Sequence, residues 1–286
     1  MSSTVSTAGA SRVYVPPTAR WRLTPRSGLA VLGAEVRKGL TTQLAHPIAH
    51  LVMVAFTATV YLGLQYVMGQ GQIQRDLVPQ TLIGISGYWL LQFASMVMVA
   101  DLVSEKRGGT FAAAQMAPAP MWLVMGGRLI TASIMGVVVA VVATLVPMLV
   151  MGVTIPLRWA ALVPYALVLV NVLAFTFMLA AFALSSPMIG VLQTMLTSMV
   201  ILMNGAVLPL SFFPDWLAVV ARLLPTTIGV EATTKVLFQD KSLSDIWSDG
   251  TLPWLIAYTA ALALLGWWIF VRNHRKALAE GRLGQY

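Results

Sequence analysis

Three histidines, ten carboxylates and no cysteine narrow the chemistry open to this sequence. Its sharpest catalytic pattern is Gly84-Ile85-Ser86-Gly87. A serine set among glycines in an apolar stretch is the arrangement of an intramembrane serine protease, but such a hydroxyl needs a base within hydrogen-bond reach. His46 and His50 fall at the opposite end of a span from the expected depth of Ser86, and His274 lies beyond the last span. The pattern therefore reads as small residues that let helices approach closely. His46 and His50 are spaced as zinc ligands on one helix face, yet no His-Glu-x-x-His pattern is present and no third ligand is evident. Gly108-Gly109-Thr110 is not followed by lysine, so the Gly-x-x-x-x-Gly-Lys-Ser/Thr phosphate cradle is missing. Without cysteine there are no disulfides, thiolate metal sites or thiol nucleophiles. The sequence predicts no cofactor and no metal held by this chain, and no catalytic residues.

The elements that carry these residues are membrane helices. The chain is 58% hydrophobic and 10% charged, whereas a soluble domain has about 25% charged residues. Six apolar segments, near 47–68, 80–101, 123–151, 160–184, 187–209 and 253–271, are long enough to cross a bilayer. Pro147 predicts a kink or late break in the third. Ser185-Ser186-Pro187 predicts a tight turn between the fourth and fifth, with a single bent segment as the alternative. Residues 1–20, rich in Ser, Thr, Ala and Pro, read as a disordered tail, and no apolar leader lies in the first forty residues. Between tail and first span, Thr24-Pro25 starts a helix over 25–45. Leu29, Leu32, Val36, Leu40 and Leu44 share one arc with Glu35 and Lys38 opposite, which predicts a helix lying in the membrane interface. The fold class is all-α integral membrane, with six transmembrane helices, this interfacial helix and a short external re-entrant hairpin before the last span.

Charge sets the orientation. With six spans, thirteen Lys and Arg fall on the side of the termini and five on the other. The positive-inside rule then places both termini in the cytoplasm and the protein in the cell membrane. The net charge of +8 serves helix ends at an anionic lipid face, and nucleic acid is not an expected partner.

The loop over 102–120 is the most informative stretch. A charged turn, Glu105-Lys106-Arg107, meets a glycine pair, Thr110 can cap a short helix, and Pro118 and Pro120 end it. A rigid helix there could pass force from a soluble partner into the spans. After the fifth span, residues 210–237 are too apolar for a free loop and too short to span, and are broken by Pro214 and Pro225. They suit a re-entrant or interfacial segment at the outer end of a pathway.

Both stretches resemble the ABC-2 type exporter permeases. Glu105-Lys106-Arg107-Gly108-Gly109-Thr110 with Pro118 is similar to that family's loop, and Asn204-Gly205, Phe213-Pro214-Asp215-Trp216, Leu224-Pro225-Thr226 and Val230-Glu231-Ala232 are similar to its pattern after the fifth span. The alanine-rich run Phe111 to Gln115 departs from the bulkier or acidic run common there. The resemblance implies a transport subunit that exports a hydrophobic or amphipathic cargo such as a drug, antibiotic, lipid or glycolipid. It implies a cytoplasmic ATPase partner, carrying ATP and magnesium, docked on Glu105, Lys106, Arg107, Gly108, Gly109, Thr110 and Pro118. It also implies a second permease copy or paralogue. Phe213, Pro214, Trp216, Pro225 and Glu231 would form an external gate.

Four polar residues inside the expected spans, Gln92, Asn171, Gln193 and Asn204, line a substrate path or bond between helices. No carboxylate or lysine lies mid-span. An ion-coupled carrier needs such a group, so its absence favours energy supplied from outside the membrane over a secondary carrier. A plain membrane anchor is the other alternative.

Overall fold

A computed structural model describes residues 24–72, 77–108, 120–183, 186, 188–207 and 210–279. The tail over 1–20, together with Gly109, Thr110 and Pro118, lies outside the described residues. Among the described residues all regular structure is helical.

Helix α1, Pro25–Leu44, starts as its sequence dictates: the Thr24 hydroxyl accepts from the Ser27 N–H at 3.2 Å and Pro25 takes the first turn. Helix α2, Pro47–Met68, follows directly. Helix α3, Val78–Ser95, passes through a π turn, Met96–Ala100, into α4, Asp101–Arg107. The helix thus runs on past the expected edge at 101 and takes up the first residues of the expected loop. Helix α5, Met121–Met151, carries Pro147 inside it and continues for one more turn before Gly152 ends it at φ +64°. A 3-10 turn, Trp159–Ala161, leads into α6, Leu162–Ala183. Helix α7 is Ile189–Met203, so α6 and α7 are two separate helices. Then come α8, Asp215–Arg222, α9, Thr227–Phe238, α10, Leu243–Ser248, and α11, Thr251–Ala279.

Among the described residues five helical stretches are long and apolar enough to cross a membrane: Pro47–Val67, Val78–Arg107, Met121–Met151, Trp159–Ala183 and Thr251–Lys276. Helix α7, the expected fifth of six, has 15 residues. At 1.5 Å per residue that is about 22 Å, short of a hydrocarbon core of about 30 Å. It stops at Asn204 because that side chain holds the chain in a bend, described below.

The α3 stretch is the hub, with 83% of its most apolar window buried against 11% for α2. Trp89, Phe93, Leu82, Leu90 and Leu91 are wholly enclosed, and α3 packs on α5, α6, α7 and α9. Burying apolar side chains against protein rather than lipid gains close packing more than hydrophobic free energy, so small residues decide where helices meet. Gly84 shows this. A Cβ there would lie 2.3 Å from the Ala206 backbone nitrogen, so the Gly-x-Ser-Gly pattern does serve close approach.

Helix α1 departs from its expected orientation. Leu32, Val36 and Leu40 face inward, but Leu29 and Leu44 are exposed. Glu35, expected on the outer side, is turned toward α5 and keeps 17% of its side chain exposed. Steps of three and four from Gly28 through Leu32, Glu35 and Gly39 to Gln43 form the contact face, and the glycines let α1 lie close enough to α5 for its acid to find a partner. At Gly39 a Cβ would come within 2.6 Å of Thr131 Oγ1.

Candidate functional site

Two charge clusters mark the two ends of the bundle, one where α4 ends and one around α8 and α9. At the first, four residues from three elements form a closed ring of alternating charge. Glu105 of α4 accepts from Arg128 Nη2 at 2.5 Å and from Lys38 Nζ at 3.1 Å. Arg128 of α5 lies 3.4 Å from Glu35 of α1 through Nε, and Lys38 closes the ring at 3.8 Å from Glu35. The Arg128 side chain is only 7% exposed. At such burial an ion pair is screened little by solvent, and removing one member strands the other. A cleft of about 170 Å³ opens beside the ring, also lined by Asp101, Ser104 and Thr131.

The π turn has a positional consequence. It inserts one extra residue per turn, which resets the face that α4 presents. Leu102 and Lys106 point into the protein while Glu105 reaches the ring. Lys106, expected in a solvated loop, is buried and donates to the Ala183 carbonyl at 2.9 Å. Asn273 of α11 donates to Ala181 O at 2.9 Å. The last carbonyls of α6 are thus held from α4 and α11, with a cation at the negative end of a helix dipole. Arg107 is exposed, and Gly108 closes α4 with its N–H on Ser104 O at 2.9 Å.

At the other end, Asn204 is the pin. Its Nδ2 donates to Gly84 O at 2.9 Å and to Thr226 Oγ1 at 3.3 Å, and its Oδ1 accepts from Ala206 N at 3.0 Å. One buried amide joins α3, the end of α7 and the turn before α9. Gly205, at φ +89°, makes the bend possible. Beyond it, Pro214 caps α8, Phe213 is half-buried, Trp216 is 69% exposed and Pro225 is buried in the turn to α9. Glu231 accepts from Arg222 Nε and Nη2 at 3.1 and 3.2 Å and pairs with Lys235 at 3.1 Å. Asp249 pairs with Lys235 at 3.1 Å and Lys241 at 3.3 Å.

The bundle is thus tied at one end through the loop-bearing α4 and capped at the other by short apolar helices, and a family model covers most of the sequence that builds it. A model described as ABC-2 type transporter matches residues 35–238. The chain belongs to the ABC-2 type transporter family. No curated protein matches it. An ABC-2 type membrane domain is a transport component and not itself catalytic, and family members usually work with an ATPase subunit. Ser86 is buried and donates to Ile83 O at 2.7 Å, and His50 packs edge-on against Phe93.

Of the residues expected to line a substrate path, the ABC-2 fold sets two between helices. Asn171 is fully buried and donates to Thr259 Oγ1 of α11 at 2.9 Å, and Asn204 is the pin. Gln92 is half-buried on α3 and Gln193 buried on α7. No hydrogen bond among the described residues joins these four. Sequence reasoning chose Glu105 but missed its partners Lys38 and Arg128 and the second acid that they hold, Glu35. The available signal was charge of both signs spread over three helices: Glu35 and Lys38 on α1, Glu105 on α4 and the lone Arg128 on α5.

Proposed function

We propose that this chain is the membrane-spanning half of an ATP-driven exporter in the cell membrane, with the ring end and both termini in the cytoplasm. Helix α7 serves as a short sixth span, and a second copy or a paralogue completes the pathway. A cytoplasmic ATPase docks on the stretch from Glu105 through Gly109 and Thr110 to Pro118. The observation that carries this reading is the ring: it fixes α4, the mount of that stretch, to α1 and α5 while α4 stays continuous with the most buried helix. A push on the loop is then delivered to α3 rather than absorbed locally. Nucleotide closure of the ATPase pair would bias the bundle between inward- and outward-open states.

Helix α11 supports the orientation. Trp267 and Trp268 are exposed near the ring end, and the Arg272 guanidinium stands 5.3 Å from the Trp268 ring. Tryptophan and arginine in that order suit a helix leaving the apolar core for an anionic interface. Gln92 and Gln193 are the better path candidates, since neither has a side-chain partner among the described residues. Asn171 and Asn204 are engaged by protein. The cargo is hydrophobic or amphipathic: a drug, antibiotic, lipid or glycolipid. Phe213, Pro214, Trp216, Pro225 and Glu231 act as the outer gate. The test uses vesicles holding both subunits. Glu105→Gln and Gly109→Val should insert normally and lower cargo-stimulated ATP hydrolysis, and wild-type coupling in both variants would remove the docking assignment.

A further inference from the structure

The end of the bundle away from the ring carries two clefts, of about 460 Å³ and about 390 Å³, that share Val219, Arg222, Glu231 and Lys235 as their dividing wall. In the larger one, α8 presents Asp215, Ala218, Val219 and Arg222. These stand at steps of three and four, so one helix face bears a carboxylate at its start and a guanidinium at its end. Their backbones are about 10 Å apart at 1.5 Å per residue. The Arg222 guanidinium is held over the cleft by Glu231 on its facing wall. Glu231 and Lys235 of α9 supply a second acid and base from the facing wall, so the cleft holds two charges of each sign. Leu210, Phe213 and Val230 add apolar lining.

Two groups keep bonding capacity. Arg222 uses Nε and Nη2 on Glu231, and its Nη1 has no partner among the described residues. Asp215 has no ion-pair or hydrogen-bond partner among them either. A purely anionic ligand would meet Asp215 and Glu231, and a purely cationic one would meet Arg222 and Lys235. A ligand with one charge of each sign satisfies both open groups. The remaining surface of α8 decides the rest of the molecule: Trp216, Val220 and Leu223 are exposed, an apolar face suited to lipid at the membrane boundary.

We propose that this cleft binds the zwitterionic head of an amphiphile, with its anionic group on Arg222, its amine on Asp215 and its chains along the apolar face of α8. The site belongs to this chain alone, so its test needs no nucleotide and no ATPase and is separate from the docking proposal. The full-length protein is purified in detergent with equal amounts of phosphatidylethanolamine, phosphatidylglycerol and diacylglycerol, and retained lipids are counted by native mass spectrometry. Phosphatidylethanolamine should be held in roughly fivefold excess over phosphatidylglycerol, the worth of one half-exposed ion pair, and in larger excess over diacylglycerol, which lacks both charges. Asp215→Asn should bring it down to the phosphatidylglycerol level. Arg222→Gln should lower both phospholipids, and Arg222→Lys should restore part of the loss. Lys241→Gln, which removes a charge of the same network but lines neither cleft, should change nothing. Equal retention of all three lipids, or unchanged retention in both Asp215→Asn and Arg222→Gln, overturns the site. Soluble phosphoethanolamine then separates sources: displacement means that the head alone suffices, as in a cargo, and retention means an anchored bilayer lipid.

Discussion

Arg128 and Glu105, on α5 and α4 and 23 positions apart, meet at 2.5 Å with the guanidinium almost wholly enclosed. The consequence is asymmetric. Arg128 touches both acids of the ring, whereas Glu105 can be lost with Glu35 still beside the guanidinium. Arg128→Gln should therefore cost about 3 kcal/mol or more, and Glu105→Gln about 1 to 3 kcal/mol. The double variant should cost less than the sum of the two. Thermal unfolding in detergent, arranged as a double-mutant cycle, measures this, and strict additivity would mean that the pair is not coupled.

The Gly84 contact predicts a sharper effect from a smaller change. Gly84→Ala places a methyl carbon 2.3 Å from backbone that cannot swing away, and it loosens the carbonyl that Asn204 grips. The expected outcome is a loss of roughly 2 kcal/mol or failure to fold. Ser86→Ala, two residues on, removes a hydroxyl that donates within its own turn and meets the Tyr165 hydroxyl, and should cost no more than about 1.5 kcal/mol. Folded yield and unfolding temperature, read side by side, separate them. A tolerant Gly84 would show that α3 and the bend after α7 are not in close contact.

How far such features were readable follows from what makes them. The long spans are set by composition and length, properties of contiguous residues, so α2, α5 and α6 begin and end near their expected edges, while α3 and α11 begin near theirs but helix continues to Arg107 and to Ala279. The ring is set by rotation and depth, which depend on where one extra residue enters a helix. Nothing in Met96-Val97-Met98-Val99-Ala100 announces a π turn, and without it Lys106 reads as a loop residue. The α1 wheel failed for a related reason. Four leucines and Val36 defined its apolar arc, while Gly28 and Gly39, which hydropathy treats as neutral, shaped the face that packs. Asn204 was picked out as polar inside a span, but two of its three partners, Gly84 and Thr226, are remote in sequence. No spacing rule distinguishes a pathway amide from a structural one.

The capping helices respond to acid. Partial burial disfavours the charged form of Asp249, yet hydrogen bonds from Thr251 and Lys235 outweigh it and hold the carboxyl below its ordinary 3.8. The Ser242 N–H does the same for Asp245 in the capping box of α10. A carboxyl with a lowered pKa in the folded state stabilises above its unfolded value, and that contribution is lost as pH falls toward the folded one. Unfolding temperature should be flat from neutral pH down to about pH 5 and decline below about pH 4. Asp249→Asn should lie lower at neutral pH and lose part of that decline. An acid limb identical to wild type would show that Asp249 does not contribute to it.

The orientation can be tested on a clean background, because the chain has no cysteine of its own. Arg107 is exposed at the ring end, Ser244 is exposed on α10 at the opposite end, and Lys106 is buried beside Arg107. Arg107→Cys, Ser244→Cys and Lys106→Cys therefore report two sides and one interior. With a membrane-impermeant maleimide on intact cells, Ser244→Cys should label and Arg107→Cys should not. After permeabilisation Arg107→Cys should label fully, while Lys106→Cys stays slow until the protein is unfolded, since its thiol sits under the end of α6. The contrast between neighbours 106 and 107 guards against a trivial result: if α4 were a frayed loop, both would react alike. Labelling of Arg107→Cys from outside would reverse the bundle. The ring would then face away from any cytoplasmic ATPase, and no rearrangement of the loop that follows could restore the proposed docking.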